Sequence, residues 1–381
     1  MRIGITCYPT YGGSGVVATE LGKALAKRGH SIHFISYAIP MRLSGYQDNI
    51  VYHEVEMSNY PLFDFPLYTL ALASKMVEVA RYEKLDILHC HYAIPHATSA
   101  YLAKQILQEM NIKIITTLHG TDITLVGLEP SFLAIMKFSI EQSDGVTAVS
   151  RFLKEKTLTN YNINKEMEVI PNFIDIEKYR RVQSEQITAH GAPHGEKVLV
   201  HTSNFRPVKR VADVIRIFNE VQKKIPSVLI LIGDGPDRSQ CEILSRELGI
   251  QEKVRFLGKQ IELVPILSIA DLFLMPSQSE SFGLSALEAM ACEVPVISTS
   301  VGGLPELQVH GQTGFIAEIG DIDRMARYAI DLLTNPSKHK LFSDAARKRA
   351  IEFESTKIIT MYEKYYEQIL SNSKTQRLID S

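Results

Sequence analysis

Glu280 and Glu288 carry the clearest chemical promise in this chain. They bracket the run Glu280-Ser281-Phe282-Gly283-Leu284-Ser285-Ala286-Leu287-Glu288. The run follows the β-rich stretch Asp271–Met275 and the breaker Pro276. Glu280 falls in a turn, and Glu288 about a turn and a half into the following helix. Two carboxylates so placed can grip hydroxyls at two places on one ligand. Gly283 lets backbone approach closely, and the amides at the helix start favour an anion. On spacing alone, a helix-capping Glu280 and a solvated Glu288 are an equally good reading.

A second element is Ser203-Asn204-Phe205-Arg206-Pro207-Val208-Lys209-Arg210, between a strand and a helix. Arginine can bind a diphosphate bidentately and lysine adds a point charge. Cations at a helix N-terminus oppose its dipole, so a bound anion would account for them. After the first strand, Gly12-Gly13-Ser14-Gly15 feeds another helix. Gly13 to Ala18 satisfies G-x-G-x-x-A, but a dinucleotide site also wants an acid ending the second strand. Ser36-Tyr37-Ala38 supplies none, and Gly233-Asp234-Gly235-Pro236-Asp237-Arg238 lacks the third glycine. A nicotinamide oxidoreductase is therefore the runner-up.

His119-Gly120-Thr121-Asp122 follows the strand Lys113–Leu118, and His89, His91 and His96 lie earlier. With Asp122 these histidines could be imagined around zinc; satisfied structural or substrate-contacting histidines are the favoured reading. Asp321-Ile322-Asp323 resembles a metal-binding D-x-D, but its place before a helix favours an N-cap. Tyr60–Leu72 is rich in Tyr, Phe and Leu. Core packing is expected there rather than a membrane-facing surface, because Lys75 and Arg81 are offset by Glu78 and Glu83.

These loops need a scaffold, and the chain supplies one by alternation. Strands are expected at Arg2–Tyr8, Ser31–Tyr37, Asp86–His91, Lys113–Leu118 and Gly145–Val149. The pattern restarts after Asn172 with Lys197–Ser203, Val228–Gly233, Lys253–Leu257, Asp271–Met275 and Val294–Ser298. Helical stretches such as Pro95–Glu109, Val208–Lys224, Pro236–Leu248 and Gly283–Ala291 lie between, which argues for parallel sheets covered on both faces. The polar stretch Tyr179–Glu196 reads as the connection. The expected fold class is α/β, with two Rossmann-like doubly wound domains, residues 1–172 and 173–354, facing a central cleft. A helix over 355–381 is expected to pack back on the first.

The chain has 381 residues, 45% hydrophobic and 22% charged, with a formal net charge of −2. That balance lacks the basic signal of a nucleic-acid binder. Cys7, Cys90, Cys241 and Cys292 are scattered, so reduced thiols and a cytoplasmic location are expected. The N-terminus reads as a strand, not a signal peptide, and no apolar run reaches the length of a membrane span. No stable membrane association is expected, and a homo-oligomer is compatible with the sequence.

The Glu280–Glu288 run resembles the E-x7-E element of the retaining two-Rossmann (GT-B, family 4) glycosyltransferases. Ala289-Met290-Ala291-Cys292, Pro295-Val296-Ile297, Gly302-Gly303-Leu304-Pro305-Glu306 and Gly311-Gln312-Thr313-Gly314 match too, and the resemblance covers essentially the whole chain. It implies that Glu288 holds the nucleotide ribose and that Glu280 faces the donor sugar. It implies further that Phe282, Gly283 and Leu284 offer amides, that Gly13 and Ser14 approach the donor phosphate and acceptor, and that His119 lies near the sugar. The family usually carries an arginine five residues before the lysine. Here that position is Asn204, assigned to the donor, while Arg206 stands two residues later. Arg206, Lys209, Glu280 and His119 are the candidate catalytic residues.

Ile5-Thr6-Cys7-Tyr8-Pro9, His91-Tyr92-Ala93-Ile94-Pro95-His96, Thr116-Thr117-Leu118-His119-Gly120-Thr121-Asp122-Ile123-Thr124 and Ser203–Val211 resemble one branch. Its members transfer N-acetylglucosamine from UDP-GlcNAc to the hydroxyl of L-malate, the first step of bacillithiol biosynthesis. The resemblance thus implies those two substrates, with no cofactor and no metal. A dicarboxylate wants cationic and hydroxyl donors, and Ser14, Tyr92, Thr117, Thr121, Arg42 and Arg151 are available. The departing diphosphate would be stabilised by Arg206, Lys209 and the glycine-loop amides while the acceptor attacks the same sugar face. A covalent intermediate on Glu280 is the competing mechanism. The same fold could also serve a different small or lipid acceptor. A non-catalytic two-lobed binding protein would need no leaving-group machinery, and the clustered Arg206, Lys209 and Glu280 argue against it.

Overall fold

The computed structural model describes residues 1–10, 12–57, 67–124, 127, 129–182 and 195–379, with side chains described to residue 372. The chain divides into two compact units, Met1–Asn172 with Thr356–Ser381, and Phe173–Ser355. Each is a parallel sheet flanked by helices. In the first, β1 (Arg2–Thr6), β2 (Ser31–Ser36), β3 (Ile50–Glu54), β4 (Ile87–His91), β5 (Lys113–Leu118), β6 (Gly145–Ala148) and β7 (Glu168–Val169) lie in the order β3-β2-β1-β4-β5-β6-β7. In the second, β8 (Lys197–Thr202), β9 (Ser227–Ile232), β10 (Val254–Gly258), β11 (Leu272–Met275), β12 (Val296–Thr299) and β13 (Gly314–Ala317) lie in the order β10-β9-β8-β11-β12-β13.

The strand order reverses between β1 and β4 in one sheet and between β8 and β11 in the other. At such a switch point neighbouring crossovers leave in opposite directions, and a crevice opens beyond the strand ends. The loops that open there carry Tyr8 to Ser14 and Tyr92 in the first unit, and Ser203 to Lys209 and Ser277 to Gly283 in the second. The chemistry-bearing motifs thus fall at the two crevices that sheet topology creates.

Central strands are buried: β4, Ile-Leu-His-Cys-His, and β9, Ser-Val-Leu-Ile-Leu-Ile, are buried at every position. That is what helices on both faces require. Strands β3, β7 and β13 are additions to the expected set. They are short or half-exposed and lack an apolar run. The helix Tyr68–Glu83 begins inside the aromatic segment Tyr60–Leu72 and buries Leu72, Met76 and Val79, while residues 60–66 of that segment lie outside the described residues. Among the described residues no helix is long and apolar enough to cross a membrane. All four cysteines are buried and unbridged, and burial pushes the thiols of Cys7 and Cys292 up to about 12.

The last helix, Ser355–Ile379, belongs to the first unit. Its Tyr362 and Tyr366 are fully buried, and the Tyr366 hydroxyl lies 2.8 Å from Nδ1 of His89. Nε2 of His89 is 2.8 Å from the Thr117 hydroxyl, itself 2.7 Å from Thr147. The His89 and His91 rings lie tilted with centroids 4.5 Å apart, and Nδ1 of His91 meets Nε2 of His119 at 2.8 Å. Burial holds His89 and His119 down to about 3 and His96 to about 4, with His91 also well below its ordinary value.

These four imidazoles are neutral in the fold, whereas unfolded histidines titrate near 6.5. Below about pH 6.5 the unfolded chain therefore binds protons that the fold refuses. Stability is full above that pH and is lost as pH falls toward the folded values. Asp122, pushed by burial to about 6, works in the opposite sense, but it is one group against four. The urea midpoint of unfolding should thus drop between about pH 7.5 and about pH 5; an unchanged or higher midpoint would contradict the neutral cluster.

Candidate active site

In the second unit, the loop after β8 and the loop after β11 meet in an ion pair. Lys209 lies on a single 3-10 turn, Pro207–Lys209, and its Nζ stands 2.6 Å from Oε1 of Glu280. The Ser277 hydroxyl donates to the same oxygen at 2.9 Å. Among the described residues Oε2 has no hydrogen bond or ion pair, which leaves its acceptor capacity for a ligand. Glu280 is only 9% exposed. A carboxylate so far out of water needs a cation and hydrogen bonds to persist in ionised form.

Backbone geometry explains how the two loops come so close. The Gln278 N–H donates to the Val208 carbonyl at 2.7 Å, tying one loop to the other. Gly302 lies at φ 60°, and a Cβ there would sit 1.7 Å from the Glu280 carbonyl oxygen. The Gly303 N–H donates to that same carbonyl at 3.0 Å. Gly283, at φ 95°, is the N-cap of the helix Leu284–Ala291, and glycine is the residue type that takes this conformation without strain. Phe282 is buried, so it offers its backbone rather than its ring.

Glu288 lies on that helix, buried, and accepts a hydrogen bond from the Tyr179 hydroxyl at 2.8 Å. Arg347 holds the segment carrying Tyr179 by donating to the carbonyls of Ile176, Tyr179 and Ala291. In the sequence Tyr179 reads as the start of a polar connection; in the structure it is a buried partner of Glu288. His201, also unforeseen, bridges the Leu274 carbonyl and the Ser203 hydroxyl, each at 2.8 Å; burial lowers it to about 4, so it stays neutral beside Lys209. Only their neighbours in sequence could have flagged these residues: one aromatic in a polar stretch, one imidazole at the end of an apolar strand.

The other residues of this unit take distinct places. Arg206 is exposed and has no ion pair among the described residues. Arg210 differs, since its guanidinium pairs with Asp213 at 2.6 Å in the next helix's first turn. Asn204 is half-buried, and its Oδ1 is buried without a hydrogen-bond partner among the described residues. An orphaned acceptor at a crevice calls for a donor from outside the chain. Asp321 caps the helix Ile322–Thr334, accepting from the Arg324 N–H at 3.1 Å, as the plainer reading of D-x-D expected.

The first unit gathers hydroxyls. The Tyr92 phenol lies beside the side chains of Ser14 and Thr121; burial and nearby Asp122 push it up to about 12, so it remains a proton donor. Tyr92 has φ 98°, a strained conformation for a bulky residue, and its N–H donates to the Thr117 carbonyl. Strain of that kind costs about 1–3 kcal/mol and persists where the surroundings enforce it. Asp122 enforces it from one side, accepting the N–H groups of Gly120 at 2.9 Å and Ala93 at 3.3 Å. His119 lies 5.6 Å from the Tyr92 ring. Gly13 opens the helix Gly13–Lys27.

Of the remaining acceptor candidates, Thr117 lies outside this cluster. Thr117 is fully buried and its hydroxyl serves the His89 and Thr147 network, so it lies beneath the crevice rather than in it. Arg151 opens the helix after β6 and is exposed; Arg42 sits between β2 and β3 at φ 68°. The histidine–Asp122 group does not converge its donor atoms as a metal site would.

The loops with this geometry match known proteins. A model described as glycosyl transferases group 1 matches residues 182–349, and one described as glycosyltransferase family 4 matches residues 11–178. The chain belongs to these glycosyltransferases. It is 49% identical over 380 residues to the N-acetyl-alpha-D-glucosaminyl L-malate synthase of Bacillus anthracis, covering 99% of this chain and 100% of that one. Among solved structures, Anabaena HepE in complex with UDP and glucose has a TM-score of 0.81 at 20% identity, over 97% of this chain and 99% of its own. Sucrose-phosphate synthase from Thermosynechococcus elongatus has a TM-score of 0.80 at 21% identity, over 97% and 99%. These two share its GT-B type of fold.

The Lys209–Glu280 pair can be tested without substrate. Lys209→Ala strands a nearly buried carboxylate and should cost about 1–3 kcal/mol of unfolding free energy. Combined with Glu280→Gln it should cost much less than the sum, with a coupling of roughly 1 kcal/mol or more in a double-mutant cycle. Additive losses would contradict the pair.

Proposed function

We propose that this chain is a retaining, metal-independent glycosyltransferase that moves N-acetylglucosamine from UDP-GlcNAc to the hydroxyl of L-malate, releasing UDP, in the first step of bacillithiol biosynthesis. The carrying observation is the ion pair by which Lys209, from the loop after β8, meets Glu280, which lies on the same turn–helix unit as Glu288. It sets a cation for a departing diphosphate against an anion for a sugar that gains positive charge. The 49% identity over nearly the whole chain supports these substrates.

The second domain holds the donor. Glu288, oriented by Tyr179, takes the ribose hydroxyls. The orphaned Oδ1 of Asn204 accepts a donor hydroxyl or amide. As the C1–oxygen bond breaks, negative charge grows on the diphosphate, where Lys209 and the exposed Arg206 stabilise it. Backbone amides at Gly283 and Leu284 add fixed dipoles. Glu280, already paired through Oε1, steadies the sugar's developing charge through Oε2. The malate hydroxyl attacks the face the diphosphate leaves, and the leaving phosphate oxygen takes its proton. The configuration at C1 is thereby kept with no acid or base from the protein.

The first domain holds the acceptor. Ser14, Tyr92 and Thr121 are hydroxyl donors gathered at one crevice, and the amides opening the Gly13–Lys27 helix favour a carboxylate. Arg42 and Arg151 are the cations of this domain assigned to malate. His119 stays neutral and offers a hydrogen bond rather than a charge.

Two experiments check this reading. In buffer containing EDTA, UDP-GlcNAc with L-malate should release UDP much faster than with water, D-malate or inositol phosphate. Loss of activity rescued by Mg²⁺ would overturn metal independence, and a better response to another acceptor would overturn malate. The two glutamates should also separate kinetically. Glu288→Ala removes binding that is equal in ground and transition states, so it should raise KM and weaken UDP binding. A lost charged hydrogen bond of ~1.5–3 kcal/mol corresponds to roughly ten- to two-hundred-fold. Glu280→Gln should lower kcat far more than UDP affinity. The reverse pattern would mean the donor lies the other way round.

A further inference from the structure

A cluster on the first domain, outside the proposed chemistry, has the composition of a transition-metal site. His33 on β2 and His53 on the edge strand β3 face the same side of the sheet, because His53 is paired in register with Ile35, two residues beyond His33. Nδ1 of His33 stands 3.0 Å from Nε2 of His53, and the rings stack at 24°. Glu83 ends the helix Tyr68–Glu83, and its Oε2 lies 4.0 Å from Nε2 of His33. One donor atom from each of the three residues lies within 4.8 Å of the others. We propose that His33, His53 and Glu83 bind a divalent transition ion of the zinc class, clipping edge strand β3 to β2 and to the end of that helix.

The chemistry fits on three counts. Two imidazoles and one carboxylate are a ligand set that zinc uses, with a fourth position left for water. Two nitrogens each 2.0–2.1 Å from a tetrahedral zinc lie about 3.3 Å apart, so the observed 3.0 Å pair needs only a few tenths of an ångström of opening. The Ser31 hydroxyl stands 3.0 Å from Nε2 of His33. When Nδ1 takes the ion, the Nε2–H thus has an oxygen to donate to, the outer contact that orients metal-bound histidines, while the partly exposed Glu83, now 4.0 Å from Nε2, must swing its carboxylate to the Nδ1 side to complete the set.

The surrounding charges are balanced rather than hostile. Arg2 and Lys75 disfavour added positive charge, while Glu78 and Glu83 favour it. Arg2 is tied to the Glu83 carbonyl at 3.1 Å, and Lys75 to Glu78 at 2.8 Å. Strand β3 is an edge, half-exposed along its length, with a sheet neighbour on one side only. A metal clip there would secure an edge strand and block its pairing with other chains.

The test uses the full chain, stripped with a chelator and then titrated with zinc chloride by equilibrium dialysis, with cobalt as an absorbing probe. The native chain should take up one equivalent at micromolar zinc, and its Tm should rise with zinc but not with magnesium. His53→Gln, half-exposed and checked for folding by circular dichroism, should lose that equivalent. Glu83→Gln should weaken binding by at least the roughly ten- to hundred-fold that losing an outer partner costs. A native chain that binds no zinc at that concentration leaves His33 and His53 as a hydrogen-bonded pair and overturns the proposal. So does a folded His53→Gln variant that keeps its equivalent, which would place the ion elsewhere. Transferase activity in EDTA is indifferent to either outcome, so the two readings stand or fall separately.

Discussion

A carboxylate nearly removed from water, with an ammonium 2.6 Å away, organises the functional end of the second domain. Neither charge could be left there alone, because an unpaired ion in low dielectric costs several kcal/mol. The loops after β8 and β11 must therefore meet, and the rest of the local sequence permits it. Gly302 leaves room for the Glu280 carbonyl, Ser277 supplies a hydroxyl, and Thr299 holds Ser277 by donating to its carbonyl at 2.6 Å. The pair is also poised for exchange. An arriving diphosphate offers Lys209 more negative charge than one carboxylate, while Ser277 and the Gly303 N–H keep Glu280 in place.

On the proposed function, the two domains recognise their ligands differently. The second uses charge: Lys209, Glu280 and Glu288, with Arg206 open to solvent. The first uses hydroxyls over an interior of neutral imidazoles and buried tyrosines. Tyr92, strained at φ 98° and pushed up to about 12, stays a donor at any ordinary pH. Beneath it, His89, Thr117, Thr147 and Tyr366 form a chain of hydrogen bonds of 2.7 to 2.8 Å. A polar interior so well paired is rigid, and rigidity is what positioning an uncharged acceptor hydroxyl requires.

Much of this was legible in the sequence, for a physical reason. Central parallel strands are continuous apolar runs, and the residues just past them lie at the strand ends where ligands bind. That rule brings Ser203–Lys209, Glu280 and the Ser14–Tyr92–Thr121 group into view from the sequence alone. Edge strands gave no such signal: β3, Ile-Val-Tyr-His-Glu, is half-exposed, and β13 has four residues. Partners that act across long sequence separations were also invisible. Tyr179 meets Glu288 across 109 residues, and Tyr366 meets His89 across 277. Arg210 looked like a third phosphate cation because sequence shows charge but not who neutralises it; Asp213 does.

The most direct measurement is a crystal structure of the chain with UDP-GlcNAc bound. The account predicts the diphosphate within hydrogen-bond reach of Lys209 Nζ, the ribose hydroxyls on Glu288, and Glu280 facing the sugar with Ser277 still attached. A complex with the diphosphate away from the loop 203–210, or with Lys209 and Glu280 both turned from the donor, would contradict it.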